Sequence, residues 1–402
     1  MKKIVLSSLA ALALTSGIAQ ASTQFYVDDN GQVFTKPAEG RKPLKETTPW
    51  YSHSDKLKFS VQTFLGYTYD DFESGKTSTG EDYKADASSF QLRRAYFQVK
   101  AYLLEDPKSY YRVTFDVHQD TKVDGSGTDG DMLLRVKYAY LYLNDILPFT
   151  GVEVGLAHRP WHDYEEHNAW YYRSISKVLV EDGNGAHLSN SADYGIMFKT
   201  KSQYFDADYG VFNGEGYHST QIRKGMSFEW RTTAHILGVN GKDKQTKKTY
   251  WDASFFGQYN QDHKEVSIDD ATRYDDLVFY GLHTVYNQPS FLIAAQYIIS
   301  DDTADNSSYV SAQAGDGYSV NGEFRFGAEK EFRILGRFDS WTPDLLDDAL
   351  EKEQRTYIGG FAWHQNKNVE WVANATVTDN EEGSSREKYN GTAYMITAEI
   401  KF

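Results

Sequence analysis

The carboxyl-terminal stretch Gly391-Thr-Ala-Tyr-Met-Ile-Thr-Ala-Glu-Ile-Lys-Phe402 alternates with a period of two. Thr392, Tyr394, Ile396, Ala398, Ile400 and Phe402 share one face of a strand, and Ala393, Met395, Thr397, Glu399 and Lys401 share the other. A helix would repeat its faces every ~3.6 residues, so this pattern excludes one. An aliphatic and aromatic face backed by a polar one suits a sheet with an apolar medium on one side and water on the other.

The pattern recurs along the chain. From Lys56 onward about sixteen alternating segments can be marked, the first at 57–70 and the last at 390–402. In the first, Leu57, Phe59, Val61, Leu65, Tyr67 and Tyr69 oppose Lys58, Ser60, Gln62, Thr68 and Asp70. Most segments are near the ~9–11 residues that a tilted strand needs to cross a bilayer. One segment, 133–144, is ambiguous, because Arg135 and Lys137 share a face with Leu141 and Leu143. Short turns such as 105–108, 201–203 and 287–290 alternate with longer links at 71–88, 119–132, 158–191, 213–225, 262–272, 301–317, 342–354 and 379–389. The turn at 238–247 is longer than that rule predicts. A soluble β-sandwich has no reason to sort its connections by length. The expected fold is therefore all-β: a transmembrane antiparallel barrel of about sixteen strands, with short periplasmic turns and long extracellular loops. A barrel of that size encloses an aqueous channel rather than a packed core.

Mean hydropathy is −0.61, which a membrane protein tolerates only if each strand turns half its residues to water. Met1-Lys2-Lys3, the apolar run 4–18 and Ala19-Gln20-Ala21 have the three parts of a secretory signal peptide, with cleavage expected after Ala21. That apolar run is shorter than the ~20 residues a spanning helix needs. There is no cysteine, hence no disulfide framework. Residues 22–55 fit no barrel strand and are expected to form a periplasmic segment, with Asn30-Gly31 as a hairpin turn. The expected organisation is signal peptide 1–21, periplasmic segment 22–55 and barrel 56–402.

Charge is unevenly placed. Without Lys2 and Lys3 the −15 chain becomes −17; the eight long links carry −20 and residues 22–55 carry −1, which leaves +4 on strands and turns. The acidity lies in the exterior loops, and the barrel wall leans basic. Acidic loops are either solvated surface, or they bridge lipopolysaccharide phosphates through divalent cations or filter solutes at the mouth. Wall bases that can point into water include Lys58, Arg94, Lys100, Arg112, Lys199 and Arg231.

Phe90-Gln-Leu-Arg-Arg-Ala-Tyr-Phe-Gln-Val-Lys100, Tyr111-Arg-Val-Thr-Phe-Asp116, Val136-Lys-Tyr-Ala-Tyr-Leu141 and Val152-Glu-Val-Gly-Leu-Ala-His-Arg-Pro160 resemble the phosphate-selective porin O and P family. So does the long link holding Trp170-Tyr-Tyr-Arg-Ser-Ile-Ser-Lys177. The likeness extends over the mature chain in layout, with sharp motifs at about 90–195. It implies a homotrimeric channel whose third loop folds inward, with a ladder of bases that draws in phosphate-like anions. By position it implies that ladder at Arg94, Arg112, Arg159, Arg173 and Lys177, and Arg231 is a further pore candidate from the wall. Arginine suits the task because its planar fork pairs phosphate oxygens bidentately and stays charged. Asp163, Glu165, Glu166 and Glu181 in the same loop depart from the pattern and oppose an anion ladder.

The expected partners are outer-membrane lipid, lipopolysaccharide and small hydrophilic solutes or ions, with no nucleic acid, cofactor or metal, at the bacterial outer membrane. General or cation-preferring porins and a non-conducting adhesin-like barrel are the alternatives. Gly125-Ser-Gly-Thr-Asp-Gly130 has no βαβ unit around it, so it reads as a loop rather than a nucleotide site. Asp120, Asp124, Asp129 and Asp131 lack the spacing of an EF-hand. A barrel enzyme would need a serine–histidine pair on the lipid-facing rim; His235 and His283 lie in strands, without an evident serine partner.

Overall fold

The computed structural model describes residues 26–28, 32–34, 36–43, 56–72, 75–76, 82–83, 86–102, 106–119, 132–217, 225–239, 246–268, 271–302, 314–344, 351–384 and 386–402. The expected signal peptide, the Asn30-Gly31 turn, the 125–130 stretch and the aspartates at 120, 124, 129 and 131 lie outside these residues.

The chain divides into two compact units, residues 1–55 and 56–402. In the first, Tyr26–Asp28 pairs antiparallel with both Val33–Phe34 and Arg41–Pro43, a three-stranded sheet. The expected hairpin is present in its strands, with Arg41–Pro43 as an added third. Arg41 lays its guanidinium over the Phe34 ring at 3.4 Å.

The second unit is a closed barrel of sixteen antiparallel strands. In chain order they are β1 (Leu57–Phe72), β2 (Asp86–Ala101), β3 (Tyr110–Gln119), β4 (Met132–Leu147), β5 (Thr150–His158), β6 (Ala192–Lys201), β7 (Phe205–Phe212) and β8 (Ser227–His235). The second half is β9 (Tyr250–Ile268), β10 (Ala271–Gln288), β11 (Phe291–Asp302), β12 (Gly315–Phe326), β13 (Phe332–Pro343), β14 (Gln354–His364), β15 (Val369–Asn380) and β16 (Gly391–Lys401). Each strand pairs with its sequence neighbours, and β16 closes on β1 from Gly391↔Phe72 to Lys401↔Gln62. Phe402 completes the seam: its carbonyl accepts from Val61 N–H at 2.6 Å and its N–H donates to the Val61 carbonyl at 3.0 Å.

The alternation read from sequence is the alternation of the wall. Tyr394 and Ile396 are exposed on the outside of β16, whereas Met395, Thr397 and Glu399 are buried inside. Outward aromatics touch across strands, as in Tyr67–Phe90 at 5.0 Å and Phe338–Tyr357 at 4.8 Å, contacts each worth about 0.5–1.5 kcal/mol. Closure leaves no unpaired sheet edge, which a hydrocarbon surround requires.

Two departures from the expected layout matter. The link expected at 262–272 is instead mostly strand: β9 and β10 stay paired out to Ile268↔Ala271, past a register shift between Asn260 and Lys264. Charged and turn-forming residues there signal a loop, but a hairpin projecting beyond a barrel needs only backbone pairing. Second, β-bulges break the strict period, two of them beside candidate bases. Register shifts opposite Phe64/Leu65 leave Arg93 unpaired on β2, and a shift opposite Thr114/Phe115 leaves Lys137 unpaired on β4. An inserted residue reverses the phase of the side chains before it. Arg135 therefore turns inward to Asp116 although Leu141 and Leu143, also odd-numbered, face outward. That resolves the ambiguity of segment 133–144.

Candidate functional site

The third link in chain order, residues 159–191, folds into the barrel. It opens with helix α1 (Pro160–Asn168). Pro160 at the first helical position lacks only an N–H that would be unpaired there, and Asp163 in the first turn and His167 in the last complement the helix dipole. Six of the nine helix residues are buried, among them Trp161, His162, Tyr164 and Glu165, because the helix is enclosed rather than laid on a surface.

Most anchors of this loop reach one side of the wall, although Arg159 and Asp163 also pair with Asp193 and Lys199 of β6. Trp161 stacks on Phe256 of β9 with ring centroids 3.6 Å apart. Tyr164 donates to Asp252 of β9 at 2.9 Å, and Gln296 of β11 donates to Glu165. Tyr172 bonds Glu323 of β12, Arg337 of β13 donates to the Lys177 carbonyl at 2.6 Å, and Asn184 donates to Thr356 of β14 at 2.9 Å. Trp170, Ile175, Val178, Leu179 and Val180 pack with Ile298, Leu335 and Ile358 of the wall. Each fully buried aliphatic side chain of this kind contributes about 1.5–3 kcal/mol. The loop thus fills the β8–β14 side of the lumen.

The other side stays open. A cavity of about 960 Å³ is lined by β1–β6, by the inner face of the third loop and by the ends of β13–β16, down to Lys401 and Phe402. Nine Lys and Arg line it (Lys100, Arg112, Lys137, Arg173, Lys199, Lys201, Arg333, Lys367, Lys401) against five Asp and Glu. Some bases are matched: Lys199 Nζ lies 3.2 Å from Glu153 and 3.3 Å from Asp163, and Arg173 bridges Glu166 at 3.3 Å and Glu181 at 2.8 Å. Arg112 and Lys137 differ. Among the described residues neither has an ion pair; each lies over tyrosine rings instead, Arg112 at 4.7 Å from Tyr138 and Lys137 at 4.8 Å from Tyr96.

Arg112 is fixed from three directions. It donates to Thr114 Oγ1 at 2.9 Å and to Tyr140 Oη at 3.3 Å, and its Nη1 lies 3.1 Å from His158 Nε2. His158 Nδ1 is 2.9 Å from Glu153. With an arginine donor at Nε2, the proton belongs on Nδ1, so His158 relays Glu153 to Arg112 as a neutral ring. Gly151 leaves the space that Tyr142 fills, since a Cβ there would lie 2.4 Å from Tyr142 Oη.

The bases singled out from sequence divide by place. Arg112 and Arg173 line the open cavity. Arg94, on β2 beside the bulge, is partly exposed and pairs with Asp116 at 2.9 Å. Lys177 borders a separate cavity of about 340 Å³ behind the third loop, 3.2 Å from Glu181. Arg159 and Arg231 are buried anchors: Arg159 pairs with Asp193 at 2.8 Å and Glu229 at 3.4 Å, and Arg231 pairs with Asp208 at 2.6 Å beneath the Tyr164 ring. Lys137, Lys201 and Lys367 were not among the sequence candidates. A bulge hides the inward turn of Lys137, Lys201 ends β6, and Lys367 sits in the turn between β14 and β15, where there is no period of two to read. The lining tyrosines went unread because aromatic residues in alternating strands signal the lipid face. His235 sits between Asp206 at 3.3 Å and Asp252 at 2.7 Å, and His283 lies against Trp161 at 5.0 Å; both face inward under the third loop, not the lipid rim.

In the third loop, burial pushes the Glu165 carboxyl up to about 8 and the His162 imidazole down to about 3. Both groups are therefore neutral at pH 7, which suits a seat packed among aromatic rings.

No protein-family model matches the sequence. No curated protein sequence matches it either. The fold is nonetheless shared with solved structures. Salmonella typhi OmpF in complex with daunomycin superposes with a TM-score of 0.58 at 12% identity, covering 86% of this chain and 97% of that one. The anion-selective porin from Comamonas acidovorans gives 0.56 at 12% identity, covering 86% and 98%. The trimer form of OmpT, an outer-membrane protein of Vibrio cholerae, gives 0.55 at 12% identity, covering 86% and 99%. The chain therefore has the fold of the bacterial outer-membrane porins, a closed sixteen-stranded antiparallel barrel that fits an outer-membrane location.

Proposed function

We propose that this protein is an outer-membrane porin: a water-filled channel through which small hydrophilic solutes diffuse passively, with a preference for anions. The observation that carries the reading is the half-filled lumen, whose open half is lined by nine bases and five acids. Fixed lumen charge replaces part of an ion's hydration and favours entry of the opposite sign. Arg112, Lys137 and Lys100 supply the preference, with Arg94 and Arg173 flanking them as partly neutralised members of the same basic wall. The described trimer of a structural neighbour supports a homotrimer. Residues 1–21 would serve as the export signal and 22–55 as a periplasmic segment.

Whether phosphate is favoured over other anions depends on the geometry of the ladder. Arg159 and Arg231 are committed to buried carboxylates and Lys177 borders the separate cavity, so a phosphate ladder would rest on Arg94, Arg112 and Arg173. The test is the reversal potential of reconstituted channels in a potassium chloride gradient. The reading predicts the anion sign, moving toward zero when Lys100, Arg112 and Lys137 are replaced by glutamine, which leaves six bases against five acids. A cation-sign potential in the unaltered protein refutes the preference, and absence of any conductance refutes the porin.

A further inference from the structure

The open wall of the lumen carries more aromatic rings than an ion channel needs. Tyr102, Tyr110, Tyr142, Tyr140 and Tyr138 form an unbroken chain of ring contacts across β2–β4: Tyr102–Tyr110 at 5.3 Å, Tyr110–Tyr142 at 5.1 Å, Tyr110–Tyr140 at 6.2 Å and Tyr138–Tyr140 at 6.5 Å. Bases stand over this chain at intervals. Lys58 lies 5.0 Å from the Tyr102 ring, Lys100 4.7 Å from Tyr110, and Arg112 4.7 Å from Tyr138. The bases are thus held against ring faces, at fixed points along a strip.

Such a strip is poorly matched to a bare inorganic anion. The face of an aromatic ring is the negative end of its quadrupole and repels an anion, so each tyrosine subtracts from what the neighbouring base provides. A solute that is itself a ring gains from both. Its carboxylate pairs with a base, and its C–H face covers part of Tyr110 or Tyr142, half-buried rings that line the cavity, at about 25 cal/mol per Å², while Tyr138 and Tyr140 are buried. The remaining lining decides between kinds of ring. Gln62, Gln98, Thr114, Ser191 and Asn368 border the same cavity and supply donors and acceptors along its length. An aromatic carboxylate would displace water from these groups and leave them unpaired, whereas a hydroxylated ring bonds them.

We infer that the preferred solutes are acidic sugars, pyranose-like rings with one carboxylate and several hydroxyls, that move along the tyrosine strip from base to base. The inference rests on the porin reading above and narrows it to a solute class. Site volumes that enclose drug-sized ligands are ~300–1,000 Å³, so a cavity of about 960 Å³ admits one or two sugar units at a time.

The experiment is the block of single-channel chloride current by four solutes: D-glucuronate, D-glucose, inorganic phosphate and benzoate. Glucuronate is expected to block saturably, with a half-blocking concentration about tenfold or more below each of the others, the equivalent of ~1.4 kcal/mol. In Tyr110→Leu/Tyr142→Leu this advantage shrinks about tenfold, while Tyr110→Phe/Tyr142→Phe keeps most of it, because the ring rather than the hydroxyl makes the contact. Phosphate or benzoate blocking as tightly as glucuronate overturns the inference, as does an undiminished advantage in the leucine variant. If the leucine variant does not insert, the four-solute comparison on the unaltered protein decides alone. A conducting, anion-preferring channel with no preference among the solutes refutes this inference only; a silent or cation-preferring protein refutes the reading beneath it.

Discussion

Glu165→Gln isolates what holds the third loop inside the barrel. Glu165 is 1% exposed, accepts from Gln296, and faces Arg337, Asp339 and Glu166. Burial raises its docked pKa to about 8 from the 4.5 of a solvated glutamate. A carboxyl raised in this way supports docking fully below pH 4.5 and loses that support as pH rises to about 8. His162 works in the opposite sense: its docked pKa of about 3 against 6.5 in water means that acid below 6.5 loosens the loop. Between pH 6.5 and 8, therefore, the support from Glu165 falls while that from His162 does not change, at up to 1.36 kcal/mol per pH unit, or roughly 2 kcal/mol. Hydrogen exchange of segment 159–191 in detergent, corrected for the intrinsic pH dependence of exchange, reads this directly. Protection in the unaltered protein falls about 15-fold across that window, the docked carboxyl being half ionised at its upper end; in Glu165→Gln most of that fall disappears. A loss of the same size in the glutamine variant, or protection that rises with pH, would show that the loop is not held by a neutral buried carboxyl.

Other perturbations separate seat from passage. Trp161→Ala removes the stack on Phe256 and costs about 3–5 kcal/mol of docking free energy, read as faster exchange of the same segment and noisier single-channel current. Arg231→Leu leaves Asp208 buried without its partner, so the barrel should lose about 3–5 kcal/mol and unfold at lower temperature on heated gels. Lys177→Ala removes a half-exposed ion pair to Glu181, a change of at most ~1 kcal/mol that leaves the same gel transition in place.

Most of the barrel was legible in the sequence, because each strand crosses an interface between lipid and water and must show both faces. Segment 57–70 was marked where β1 runs Leu57–Phe72, and 390–402 where β16 runs Gly391–Lys401. Strand ends that depend only on backbone pairing, such as the β9–β10 hairpin, carry no periodic signal and were missed. The inward third loop was expected from resemblance alone; its seat is set by contacts across the lumen, Trp161 to Phe256 and Arg337 to the Lys177 carbonyl, that no local pattern encodes. The same holds for charge. Sequence could place Arg231 and Arg112 on the inner face, but only the position of the loop decides that Arg231 is covered and Arg112 is not.

The division of the lumen into a wet basic half and a dry packed half is tested most directly by accessibility. The chain has no cysteine, so single substitutions label cleanly. Gln98→Cys lies on the open wall and Ile298→Cys on the wall beneath the third loop, where the native side chain is 0% exposed. In reconstituted channels a charged methanethiosulfonate reagent should react with Gln98→Cys and change its current, and leave Ile298→Cys untouched. Equal reaction at both positions, or reaction only at Ile298→Cys, would contradict the account.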